Sequence, residues 1–305
     1  MSYERIARKL AKSETIIIDG GTGTDIQSRG VPMAGETWCA EANLTHPAVV
    51  RCVHEDYIAA GAEIVTANTY PTSPLLFNAL GRDQDMIRID KEAVRIAHEA
   101  SDGRVAVAGS FSVMRPMEPG VDRVKKYREW SATDAKALMR RKAESMAEAN
   151  VDLIMMEMMR DADYSLWATE AAVATGLPVW VGIATEPRDD GRLTGFARPD
   201  WLLEDVVKAL AAAGADVISI MHTLPNHVGD ALKIVRAAWQ GPLGAYPESG
   251  FFKMPDWQFV DIIEPSALVA HARDWQTAGA SIFGGCCGTN PQHIKALSTA
   301  FRRAA

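Results

Sequence analysis

Two cysteines stand side by side in the stretch "SIFGGCCGTNPQHI", residues 281–294: Cys286 and Cys287, with Gly284, Gly285 and Gly288 around them. The pair admits three readings. It is a couple of small buried residues filling a turn, a strained vicinal disulfide, or two thiolate ligands to one metal ion. Adjacent side chains on a regular strand point to opposite faces, so neighbours share an ion only where the backbone turns. The three glycines, tolerant of positive φ, permit such a turn. Two ligands are too few for a stable zinc site, so the metal reading needs at least one more donor from elsewhere in the chain. The other two cysteines, Cys39 and Cys52, have no metal spacing between them and are assigned to packing.

The elements that must position this pair are legible as an alternation. Short apolar or β-branched runs read as strands at 15–19, 63–68, 105–110, 152–157, 178–184, 216–222, 242–246 and 280–285. Amphipathic stretches lie between them. The spacing predicts helices over 47–61, over 131–150 with Ser131 as the cap, and over 200–214. The phrases "AAGAEIV", "EANVDLI", "AAAGADVI" and "TAGASIF" each join a helix end to a buried strand. Connections of this length favour parallel strands with helical crossovers. Eight such units predict an α/β fold, a single (β/α)8 TIM barrel over residues 1–305. A doubly wound sheet would call for a G-x-G-x-x-G turn, and "GGTGTD" at 20–25 lacks that spacing. In a barrel the chemistry sits where strands end. Residues 19–23, 68–70, 110–112, Glu157, His222, 246–248 and 286–287 should therefore face one mouth.

Bulk properties narrow the partners. The 305 residues are 48% hydrophobic and 23% charged, so a large core is available, and the net charge of −7 with no Lys/Arg-rich run argues against nucleic acid. No export signal or membrane span is read in the sequence, which predicts a reduced, cytoplasmic setting. There, clustered cysteines lean toward metal or catalysis. Small molecules are the expected partners, and homo-oligomerisation is compatible with the sequence.

Several segments then fall in order along residues 14–300: "DGGTGTDIQSRG", a second strand closing in "TANTY", a fourth closing in "MME", "YPESG" after the seventh, and "GGCCG" followed by "TNPQHI". Together they resemble the homocysteine S-methyltransferase family, which includes betaine– and S-methylmethionine–homocysteine methyltransferases and the homocysteine domain of cobalamin-dependent methionine synthase. The resemblance implies a (β/α)8 barrel, in agreement with the alternation above. It also implies that the double cysteine binds zinc together with a third cysteine at the end of the sixth strand. The matching stretch here is "SIMHTLPNHV", with His222 in the cysteine position. The implied set is Cys286, Cys287 and His222 with an open fourth position, the arrangement of a catalytic zinc. His227 falls in the variable part of that motif, and His54, His98, His271 and His293 read as helical.

The activity implied is methyl transfer from an onium donor, sulfonium or betaine type, to the thiol of homocysteine, giving methionine. Asp19 and Glu157 match acidic residues that hold the acceptor's α-ammonium. Gly20 and Gly21 would let its carboxylate approach main-chain donors. An onium methyl donor is attracted to aromatic faces, and Trp38, Tyr70 and Tyr246 are the candidates. Asn68 and Ser110, at strand ends, complete the substrate-binding set. Arg115, in "GSFSVMRP", would bind a carboxylate on the donor or pair with a neighbouring acid. Glu248 stands where the family often has asparagine, and would either attract a cation or form a salt bridge. Asp161 and Asp163 are expected on a solvated loop. Replacing a thiolate by a neutral histidine leaves one negative charge fewer around the metal, which predicts a poorer nucleophile suited to a more reactive, sulfonium donor. The competing functions are a methyltransferase with another thiol acceptor, one served by a corrinoid or folate partner, a metal-assisted hydrolase, and a metal-poor binding protein.

Overall fold

The computed structural model describes residues 2–33, 35–116, 129–253 and 258–301. Every apolar run expected to be a barrel strand contains one: β1 (Ile16–Ile17), β2 (Ile64–Ala67), β3 (Ala106–Ser112), β4 (Leu153–Met159), β5 (Val179–Pro187), β8 (Val217–Met221), β9 (Leu243–Tyr246) and β12 (Ala280–Phe283). The remaining short strands, β6 (Leu193–Gly195), β7 (Arg198–Leu202), β10 (Phe251–Lys253) and β11 (Gln258–Val260), lie outside the barrel. The eight barrel strands are parallel in the order β1-β12-β9-β8-β5-β4-β3-β2, and a bridge from Ile18 to Ile64 closes the ring.

The recurring phrases noted in the sequence have one physical cause. Gly61, Gly214 and Gly279 have φ of 109°, 96° and 96°, and Asn150 has 63°. Each is a left-handed residue that ends a helix and turns the chain back toward its next strand, a conformation open to glycine and tolerated by asparagine. Helix starts follow their caps: Ser131 Oγ accepts the Asp134 amide at 3.1 Å at the head of Ala132–Glu148.

Both faces of the sheet are buried. Ile16, Ile18, Ile64, Leu153, Met155, Trp180 and Ile282 fill the barrel interior, while Ile17, Val65, Val107, Ile154 and Val181 pack outward on the helices. This is why the strands read as continuous apolar runs rather than alternating ones. The N-terminal helix Ser2–Ala11 packs Ile6 among the interior residues, and Tyr3 Oη accepts the Trp180 indole N–H at 3.2 Å.

Two expectations are corrected. Residues 200–202 belong to β7, so the helix expected from residue 200 begins at Leu203. β5 runs on past the barrel, and β6 and β7 add to it in antiparallel fashion. Cys52 is exposed rather than packed, whereas Cys39 is buried as expected. Among the described residues no helix is long and apolar enough to cross a membrane.

Candidate functional site

The two cysteines follow β12. Gly284 and Gly285 do not supply a left-handed turn there; only Gly288, with φ 80°, does. Their role is close approach. A Cβ on Gly284 would lie 2.3 Å from Ile18 Cγ1, and one on Gly285 would lie 2.1 Å from Thr289 Oγ1. Gly21 answers from the other side, where a Cβ would sit 2.6 Å from the Cys286 carbonyl oxygen. The loops after β1 and β12 are thus pressed together. The Gly285 amide donates to the Asp19 carbonyl at 3.0 Å, and the Gly21 amide donates to Thr289. The Gly21 N–H, expected near a substrate carboxylate, is engaged in this packing.

His222 comes to the same spot from the end of β8. Its φ of 40° is a left-handed value, uncommon outside glycine and concentrated at functional positions. Thr223 fixes the turn by donating to the Thr185 carbonyl and accepting the Thr185 amide. Phe196, carried by the β5–β7 excursion, meets the imidazole edge to face at 4.9 Å between centroids.

The result is a three-donor cluster. His222 Nδ1 lies 3.7 Å from Cys286 Sγ, Cys286 Sγ lies 4.0 Å from Cys287 Sγ, and the donor atoms of the three residues all lie within 4.8 Å of one another. A tetrahedral zinc with ordinary Zn–S and Zn–N bonds would need S···S and S···N edges of about 3.8 and about 3.6 Å. The donor set and its spacing therefore fit zinc. Hydrogen bonding with the Cys287 thiol, reinforced by His222, holds the Cys286 thiol well below the usual thiol range despite its burial. This is the form a metal ligand needs.

Beside the cluster lie two carboxyls, Asp19 buried and Glu157 half-buried in the cavity wall. Asp19, 3% exposed, accepts the Thr66 amide at 2.6 Å and the Thr66 hydroxyl at 3.0 Å. Glu157 accepts the Ser110 hydroxyl. Burial is the main force that pushes Asp19 up to about 7 and Glu157 up to about 8, and the nearby Cys286 sulfur adds to both. Glu157 is aimed by an irregularity: the β4–β5 register shifts between Met156 and Met159, and Met158 has φ 59°.

One cavity at the mouth collects most of the residues singled out in the sequence. Asp19, Gly20, Gly21, Glu157, Ser110, His222 and both cysteines line it, as do Trp38, Tyr70, Asn68 and Tyr246. Trp38 and Tyr70 meet edge to face with centroids 6.5 Å apart, and Gly23 leaves room for the indole. Asn68 also braces the wall, since its amide donates to the Cys39 carbonyl and to Asn43 and accepts from the Cys39 thiol. The Tyr246 hydroxyl is buried without a hydrogen-bond partner and lies against Gly182, where a side chain would collide with it. Arg115 and Glu248 do not line this cavity. Arg115 stacks on the Tyr164 ring at 4.7 Å, and Glu248 reaches His222. Asp161 is not solvated: it is fully buried and paired with Arg198 at 2.5 Å. Thr66, Phe196 and Thr289 were missed in the sequence. Thr66 carried a weak signal as a polar residue within an apolar strand.

A family model described as homocysteine S-methyltransferase matches residues 16–301. The chain belongs to the homocysteine S-methyltransferase family. It is a methyltransferase, and the family's reaction is methyl transfer to homocysteine. Among curated relatives it is 25% identical to homocysteine S-methyltransferase 4 of Zea mays, over 94% of this chain and 90% of that one. It is 27% identical to betaine–homocysteine S-methyltransferase 1 of Mus musculus, over 96% of this chain and 74% of that one. Among solved structures it resembles the metallated form of the homocysteine methyltransferase MmuM from Escherichia coli, with a TM-score of 0.74 at 25% identity over 95% and 97% of the two chains. The oxidised form of the same enzyme gives a TM-score of 0.77.

Proposed function

We propose that this family member transfers a methyl group from an onium donor to the thiol of homocysteine, with zinc held by Cys286, Cys287 and His222. The observation that carries this is the three-donor cluster at tetrahedral spacing, set beside the carboxyls of Asp19 and Glu157 in the same cavity. Zinc, when bound, would hold the acceptor sulfur as a thiolate at neutral pH, where a free thiol near pKa ~8.5 is only a few per cent ionised.

The chain's own residues do the rest. Asp19 and Glu157 are held close enough to ionisation at neutral pH that an incoming α-ammonium would draw both into the charged form. That contact would fix the amino-acid end of the acceptor and leave its sulfur to reach the cysteine–histidine cluster. Trp38 and Tyr70 line the outer wall and offer aromatic faces to a cationic methyl donor, each good contact adding about 0.5–2 kcal/mol. As the methyl passes to the acceptor sulfur, the donor's onium nitrogen or sulfur keeps the bond's electron pair and leaves as a neutral amine or thioether, so no general acid is required, and alignment of sulfur and methyl supplies much of the rate.

The test is metal content and methionine formation by the reduced protein. Wild type should carry zinc in about equimolar amount, and Cys286→Ser should lose most of it. With homocysteine, either S-methylmethionine or betaine should give methionine. Zinc-free protein with full activity would overturn the proposal.

A further inference from the structure

The resemblance described above implies cysteine at 222 and often asparagine at 248, where this chain has His222 and Glu248. In the structure these two residues touch. His222 Nε2 lies 3.3 Å from Glu248 Oε2, with the side chains 6% and 15% exposed. The other ring nitrogen, Nδ1, faces Cys286 Sγ. The strap carrying Glu248 is pinned on both sides to the cysteines: the Pro247 carbonyl accepts the Cys286 amide at 2.8 Å, and the Ser249 amide donates to the Cys287 carbonyl at 2.9 Å.

We propose that Glu248 is a positioning residue for the metal. It sits within ion-pair distance of His222 Nε2, and by accepting that N–H when the site is loaded it would leave the Nδ1 lone pair for the ion and fix the ring's orientation. A neutral imidazole has one N–H and one lone pair, so fixing the proton at one nitrogen assigns the ligand role to the other. The carboxylate also makes the ligand more basic. It returns to the surroundings of the site the negative charge that a third cysteine would have brought into the ligand set. Phe196 against the ring edge restricts rotation further. The glutamate is thus the counterpart of the histidine. This inference rests on the reading of His222 as a ligand, so the test separates the two.

The experiment is zinc affinity by chelator competition at fixed pH, with the absorption spectrum of the Co²⁺-substituted protein as a second readout. His222→Ala reports on the ligand itself. Glu248→Ala should weaken zinc binding ~10- to 100-fold and alter the Co²⁺ spectrum. Glu248→Gln, whose amide oxygen still accepts from Nε2–H, should recover part of the loss. In a His222→Cys background, Glu248→Asn should leave zinc affinity unchanged or tighten it, because a thiolate needs no such partner. If His222→Ala binds zinc like wild type, the ligand set is wrong and this inference goes with it. If His222→Ala loses zinc while Glu248→Ala does not, the ligand stands and the positioning role is overturned. Equal losses from Glu248→Asn in both backgrounds would reduce Glu248 to a structural brace and overturn it too.

Discussion

Two sets of carboxyls drawn inside this molecule look alike until their partners are compared. Asp90 and Lys142 are both fully buried, with Lys142 Nζ 2.7 and 2.8 Å from the carboxylate oxygens. The ammonium also donates to the Thr72 carbonyl and hydroxyl at 2.9 Å. This cluster ties the helices Asp83–Ser101 and Ala132–Glu148 to the loop that follows β2. Asp19 is buried and Glu157 half-buried at the mouth, each held by amide or hydroxyl donors. Among the described residues no lysine or arginine pairs with either. One carboxylate has its cation built into the fold and acts as a strut. The others have none among the described residues and face a cavity, where the proposed acceptor's ammonium would supply it.

The largest expected effect falls on the strut. Lys142→Met should lower unfolding free energy by about 3–5 kcal/mol in chemical denaturation, because it leaves Asp90 buried and unpaired. A neutral result would erase the distinction. Glu157→Gln should do the reverse. Stability should hold or rise, while kcat/KM for the acceptor should fall by roughly 30- to 150-fold, equivalent to about 2–3 kcal/mol for a lost charged hydrogen bond. A third measurement sharpens the comparison through pH. In the metal-free protein the carboxyls of Asp19 and Glu157 are raised to about 7 and about 8, so between the ordinary carboxylate range and those values the folded state holds protons that the unfolded state has released. Stability should therefore fall as pH rises from about 4 to about 8 and then level off. Denaturation at pH 5 and pH 9 reads this, and the double variant Asp19→Asn, Glu157→Gln should flatten the slope.

The barrel was legible because its strands are buried on both faces and its helices end on left-handed residues. Both are local signals: apolar runs, and Gly61, Gly214, Gly279 and Asn150. The mouth was legible because a polar residue closing an apolar strand has few bland uses, and Asp19, Glu157 and His222 all meet in one cavity. The β5–β7 excursion was not legible. Its "TEPRDDGRLTGFARPD" is polar and turn-rich, and its strands form only by adding to an extension of β5. Two consequences were therefore missed. Arg198 from this excursion buries Asp161, and Phe196 reaches His222. The glycines beside the cysteines were legible as special, yet for the wrong reason. For Gly284 close approach depends on Ile18, at the other end of the chain, and for Gly285 on the fold of its own loop against Thr289, whereas positive φ is a property of one residue.

The cylinder's weakest seam runs between β1 and β2, where a lone bridge joins Ile18 to Ile64. Just above it, Asp19 clasps the amide and hydroxyl of Thr66. A charged carboxylate accepts more strongly than a neutral one. Any cation that ionises Asp19 therefore also tightens this clasp, so that loading the mouth and locking the scaffold become a single event.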